Sequence, residues 1–236
     1  MPYETLSCGK RVCRIGRDEK LMTSSSEDSS GLKGLLSNSQ VYDFFQNRLL
    51  GGRKAREWLA QNFWKLKGGE RVVDIGCGSG AVLEHLPRAD YLGIDISKSY
   101  IDAGRKKYAA NATFFLGTAL DFLNQNDSHL NNTDLVLCNG LLHHLSDEQA
   151  REVLGISRQL LKPGGRLVCL EATYLARQTR FSKWIVSTDR GRFVRSEQEW
   201  KNLVNGVFDR CSTHIVTGLI RIPYTHIIIE CRNEAT

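Results

Sequence analysis

The chain has 236 residues, 41% of them hydrophobic, with 32 Lys and Arg against 26 Asp and Glu and a formal charge of +6. That supplies one sizeable core, and no apolar run approaches the ~20 residues of a bilayer span. Lys10, Arg11 and Arg14 precede no apolar segment, so a cytoplasmic protein without a secretory signal or membrane partner is expected. The seven cysteines are odd in number and scattered, with no CxxC pair. They read as small buried hydrophobes in a reducing compartment, with neither a disulfide framework nor a metal site expected.

Residues 1–36 are the least patterned, and the run MTSSSEDSSG at 22–31 reads as a disordered linker. One domain over 37–236 follows. Val41, Tyr42, Phe44, Phe45, Leu49 and Leu50 suggest an amphipathic helix. After Gly51-Gly52, a second helix over the rest of 37–66 places Ala55, Trp58, Leu59 and Phe63 on one face. Residues 72–80, VVDIGCGSG, organise the chain. Val72, Val73 and Ile75 predict a buried strand. Gly76, Gly78 and Gly80 then break it and let the backbone approach a ligand. A helical pattern runs from Ala81 to Leu86. Strand, glycine turn and helix form the first unit of a doubly wound α/β sheet. The spacing also satisfies the dinucleotide fingerprint, so a nicotinamide-dependent oxidoreductase is a rival reading. Asp74, two residues before the first glycine, suits a ligand amine better than a pyrophosphate.

Tyr91–Asp95 is the second strand. Asp95, 19 residues after Gly76, can accept both ribose hydroxyls of an adenosine, and Ile96 can flank the adenine. Ser97 is the expected N-cap of a helix through Tyr108. Ala112–Leu116 is the third strand, with Gly117-Thr118-Ala119-Leu120 after it, and Asp134–Asn139 is the fourth. Gly140-Leu-Leu-His-His-Leu145 leaves the strand end at which ligands bind in such sheets. Ser146 and Gln149 form a capping box, and the helix they open runs to a Leu-Lys-Pro-Gly-Gly turn into the fifth strand. Ser196-Glu-Gln-Glu199 opens a short helix to about Asn205. Ser212–Leu219 and Thr225–Cys231 close the chain as a hairpin.

Asp74-Ile-Gly-Cys-Gly-Ser-Gly80, Leu141-Leu-His-His-Leu145 and Leu160-Leu-Lys-Pro-Gly-Gly165 together resemble the first, fourth and fifth motifs of class I S-adenosylmethionine-dependent methyltransferases. The resemblance is strong over roughly residues 70–171. It implies a doubly wound, seven-stranded, mostly parallel sheet with a C-terminal antiparallel hairpin. It implies S-adenosylmethionine as cofactor, S-adenosylhomocysteine as product and a small-molecule acceptor. Gly76, Cys77, Gly78 and Gly80 would pass under the methionine part, with Asp74 near its amino group. Asp95 and Ile96 would hold the adenosine, Ala119 or Asp121 the adenine, and Asn139 and Gly140 complete the cofactor set. A helix placed like 39–50 would lie over the cofactor, making Tyr42, Phe45 and Arg53 pocket candidates. The family often has an acidic residue where this chain has Thr118.

Methyl transfer needs a base only when the acceptor arrives protonated. His143 and His144 are the catalytic candidates, His143 the favoured one, and a purely structural role for both is the competing reading. No Asn/Asp-Pro-Pro-Tyr follows the fourth strand, which leaves oxygen, carbon or amine acceptors. Arg177, Arg180, Lys183, Arg190, Arg192 and Arg195 lie in the substrate-side insertion at 172–206 and point to an anionic acceptor, with Arg190 and Arg192 the candidate contacts. No nucleic-acid module is visible. An RNA or protein methyltransferase and a non-catalytic cofactor-binding subunit remain open alternatives.

Overall fold

A computed structural model describes residues 52–125, 132–187 and 192–234. The expected linker, the helix at 39–50 with Tyr42 and Phe45, and Arg190 lie outside the described residues. The chain enters through α1 (Gly52–Leu59) and a single π-helical turn, Ala60–Trp64. Ala55 and Leu59 are buried as the pattern predicts, but Trp58 stays at the rim. The π turn rotates Trp64 inward instead, to 1% exposure. The Arg166 guanidinium bonds the Phe63 and Trp64 carbonyls and fixes this turn to the sheet.

Seven strands lie in the order β3-β2-β1-β4-β5-β8-β7. They are β1 (Arg71–Ile75), β2 (Asp90–Asp95), β3 (Thr113–Leu116), β4 (Thr133–Asn139), β5 (Leu161–Tyr174), β7 (Arg210–Thr217) and β8 (Thr225–Arg232). The two-residue β6 (Arg195–Ser196) pairs only with the end of β5. The first five strands run parallel, and β8 returns antiparallel between β5 and β7. The expected doubly wound sheet with a terminal hairpin is therefore present.

Strand alternation divides the core in two. Val73, Ile75, Val136 and Cys138 face α3 (Ala119–Gln125), α4 (Asp147–Leu160) and α6 (Glu197–Asn205). Val72, Leu135 and Leu137 face α1, the π turn, the 3-10 turn at Ala81–His85 and α2 (Lys98–Tyr108). Helices on both faces bury parallel strands completely, which is why they read as apolar runs. The predicted capping box of Ser146 with Gln149 forms, and Ser196 makes a second one with Glu199 at the start of α6. Ser97 precedes α2 as expected, but its hydroxyl makes no cap bond and instead pairs with Ser99.

The cysteines require one correction. Cys77, Cys138 and Cys169 are free and buried as expected, but Cys211 and Cys231 are joined as a disulfide. The cause is strand register. These two residues stand directly opposite each other on β7 and β8, with Cα atoms 4.2 Å apart.

Candidate active site

Parallel order brings the C-terminal ends of β1, β2, β4 and β5 to one edge of the sheet. The turn after β1 is tied to β2, because the Gly76 and Cys77 N–H groups both donate to the Ile94 carbonyl, at 2.8 and 3.1 Å. Gly78 has φ +54°, and a Cβ there would meet nothing within 4 Å. It would project into open space over the turn, so the missing side chain leaves room for a ligand. Gly80, at φ +77°, is crowded instead, since a Cβ would come within 2.9 Å of the Phe114 ring.

Asp95 closes the next strand end, half-buried. Its Oδ2 accepts the Gly78 N–H at 2.9 Å and its Oδ1 the Ser97 N–H at 2.8 Å. Both oxygens are thereby oriented, and each retains acceptor capacity for a hydroxyl. Along the same edge Ile96, Leu116 and Leu120 are 64%, 42% and 41% exposed. Ala119 is buried at the start of α3. Asp121 turns back instead, its Oδ2 taking both the hydroxyl and the N–H of Thr118. Those bonds hold its carboxyl below the usual range.

Asp74 lies beneath the turn, 1% exposed, with the Tyr91 hydroxyl donating to its Oδ2 at 2.8 Å. Burial pushes its pKa up to about 7, with Tyr91 opposing and Asp95 assisting. Beside it, burial also pushes the Cys77 thiol far above its ordinary range, and Cys77 donates to the Gly78 carbonyl. The folded state thus holds the Asp74 proton between pH ~4 and ~7, where the unfolded chain releases it, so stability falls as pH rises through that window. Above pH ~7 both states are ionised and the penalty is constant. Asp74→Asn keeps an acceptor for Tyr91 and removes the penalty. Its stability relative to the parent should therefore grow by up to ~4 kcal/mol between pH 4 and 8. Urea unfolding of both proteins at the two pH values measures this. An unchanged gap would place the ionised carboxylate in a better-solvated environment than the geometry shows.

β4 ends on Asn139, whose side-chain Nδ2 and Oδ1 are both buried with no partner among the described residues. A buried amide with an open donor and an open acceptor asks for a ligand group. Gly140, at φ +71°, redirects the chain into the 3-10 turn Leu142–His144. That turn winds around Glu171 on β5. Glu171 Oε1 accepts the N–H groups of Leu141 and Leu142, at 3.2 and 2.9 Å, and Oε2 accepts that of His143 at 3.2 Å. Oε2 also lies 2.5 Å from His143 Nδ1. Glu171 is 1% exposed and His143 5%. A ring donating Nδ1–H to a carboxylate carries its lone pair on Nε2, the atom that can take a proton. His144 is exposed, its ring centre 4.2 Å from that of His143.

Sequence reasoning missed Glu171. The available signal was a carboxylate inside the otherwise apolar run Leu167–Ala172, since a buried acid demands partners. It also misplaced Arg195, grouped with the acceptor-facing cations. Arg195 is 6% exposed and ion-pairs Asp147 at 2.8 Å. It donates to the carbonyls of Leu142 and Leu145 and lies over the Trp200 ring. It clamps the histidine turn from behind and is not available to an acceptor. Arg53, Arg177, Arg180, Lys183 and Arg192 are exposed.

Residues 73–167 match the family model described as "Methyltransferase domain". An uncharacterised methyltransferase of Schizosaccharomyces pombe is 35% identical over 116 residues, 45% of this chain and 39% of that protein. Demethylmenaquinone methyltransferase of Symbiobacterium thermophilum is 29% identical over 128 residues, 50% of this chain and 48% of that one. The matched stretches thus span less than half the length of either relative. Among solved structures, a phosphoethanolamine N-methyltransferase of Haemonchus contortus, in complex with phosphomonomethylethanolamine and S-adenosylhomocysteine, superposes with a TM-score of 0.66. It is 13% identical and covers 85% of this chain and 58% of its own. Glycine turn, strand-end carboxylate and strand order define a Rossmann-like methyltransferase fold. Residues 73–167 carry the methyltransferase-domain match, and the fold around them is that of the class I S-adenosylmethionine-dependent methyltransferases.

Proposed function

We propose that this chain transfers a methyl group from S-adenosylmethionine to a small-molecule acceptor that arrives protonated and carries an anionic group. The observation that carries the reading is the His143–Glu171 pair, set on the same sheet edge as the glycine turn and Asp95. The residues there fit the cofactor: Gly78 leaves space, Asp95 offers two oriented acceptor oxygens, Asn139 has an open donor and acceptor, and Ile96, Leu116 and Leu120 offer apolar surface to a ring. When bound, the cofactor supplies a methyl on a sulfonium, whose neutral thioether leaves without an acid.

The protein's work is then alignment and deprotonation. Glu171 holds the imidazole ring and its tautomer, and His143 Nε2 takes the acceptor's proton as its nucleophile attacks. Arg192 and Arg190 supply the charge for the acceptor's anionic group. The phosphate-bearing molecule held by the Haemonchus neighbour supports that class of acceptor. The test is release of S-adenosylhomocysteine on adding carboxylate- and phosphate-bearing metabolites beside their uncharged counterparts. Turnover should appear only with the charged set, and Arg192→Gln should raise the acceptor KM about tenfold with kcat little changed. Turnover confined to uncharged acceptors, or an unmoved KM, would remove the anionic contact.

A further inference from the structure

The segment after β5 has a surface that methyl transfer does not require. α5 (Arg180–Ser187) turns Ser182 and Val186 inward. Val186 packs with Ala172 and Tyr224, and the Gln178 amide ties Ser182 to Thr225. The opposite face presents Phe181 and Trp184, 61% and 60% exposed. Their rings stack with centres 6.0 Å apart and planes at 17°. Arg177, just before the helix, and Arg180 and Lys183 on it are exposed as well, and residues 172–187 contain no Asp or Glu.

We infer that this face lies on an anionic lipid bilayer surface, with Phe181 and Trp184 at the boundary of headgroups and acyl chains and the three cations on lipid phosphates. Two adjacent large aromatics in water are unfavourable for a monomer and mark a contact site. Exposed stacked rings and exposed cations on one short segment, with no acid in residues 172–187, are the chemistry of a helix lying in a membrane interface. No helix among the described residues is long and apolar enough to cross a membrane, and an in-plane contact needs none. α5 follows the strand that carries Glu171, so docking would bring the catalytic edge to the lipid. The inference goes beyond the proposed reaction, and its readout does not depend on turnover.

The test is co-sedimentation of the full chain with phosphatidylcholine vesicles and with vesicles containing about one-third phosphatidylglycerol. The chain should pellet with the anionic vesicles at least about tenfold better than with the neutral ones, at ~1 kcal/mol per cation. Trp184 emission should shift to the blue. The exposed pair Phe181→Ser/Trp184→Ser and, separately, Arg180→Glu/Lys183→Glu should each abolish pelleting. Failure to pellet with anionic vesicles, equal pelleting with neutral ones, or pelleting that survives either double variant would overturn the inference. Capture by an acidic protein in place of vesicles would do the same.

Discussion

Glu171→Gln is expected to cut turnover by about 10²-fold or more while leaving S-adenosylhomocysteine affinity within twofold or so. The substitution is nearly isosteric, and the amide oxygen can still accept the N–H groups of Leu141 and Leu142. The amide nitrogen would then face His143 Nδ1 and present a donor where the carboxylate was an acceptor. The ring must answer by placing its proton on Nε2, which removes the base. His143→Ala should give a loss of similar size, and the double variant little more than either alone, because the two residues act as a unit. A pH profile supplies the decisive readout. The limb of kcat/KM that reports base ionisation should disappear in both variants. If turnover in Glu171→Gln survives within a few-fold, the pair only holds the loop and the acceptor arrives already deprotonated.

Asp95→Ala should weaken S-adenosylhomocysteine binding by about 10²-fold, from loss of charge-assisted bonds to two hydroxyls. It also releases the N–H groups of Gly78 and Ser97, now oriented by the carboxylate. The turn should loosen as well, and the loss should exceed that of Asp95→Asn, which keeps one acceptor. Calorimetric titration of the three proteins separates these values. Equal affinities would place the ribose elsewhere on the edge.

The sheet was readable because its strands announce themselves chemically. Val72, Val73 and Ile75 are β-branched, and the glycines that end the strand have few other uses at that spacing. Asp95 was readable because the end of a second strand in a doubly wound sheet falls at a predictable place. Glu171 was not, because its partner is 28 residues away in sequence and only the pairing of β4 with β5 brings them together. The cation cluster after β5 gave charge without direction. Arg195 turns into the core to hold the histidine turn, whereas Arg177, Arg180 and Lys183 turn out. The bond between Cys211 and Cys231 depends on a hairpin register that spacing alone does not set.

The most direct measurement is calorimetric titration of the whole chain with S-adenosylmethionine, S-adenosylhomocysteine and NAD in parallel. Micromolar binding of both sulfur compounds, with no heat from NAD, is the predicted result. Binding of NAD with none of the sulfur compounds would contradict the reading of the glycine turn, of Asp95 and of Asn139 together.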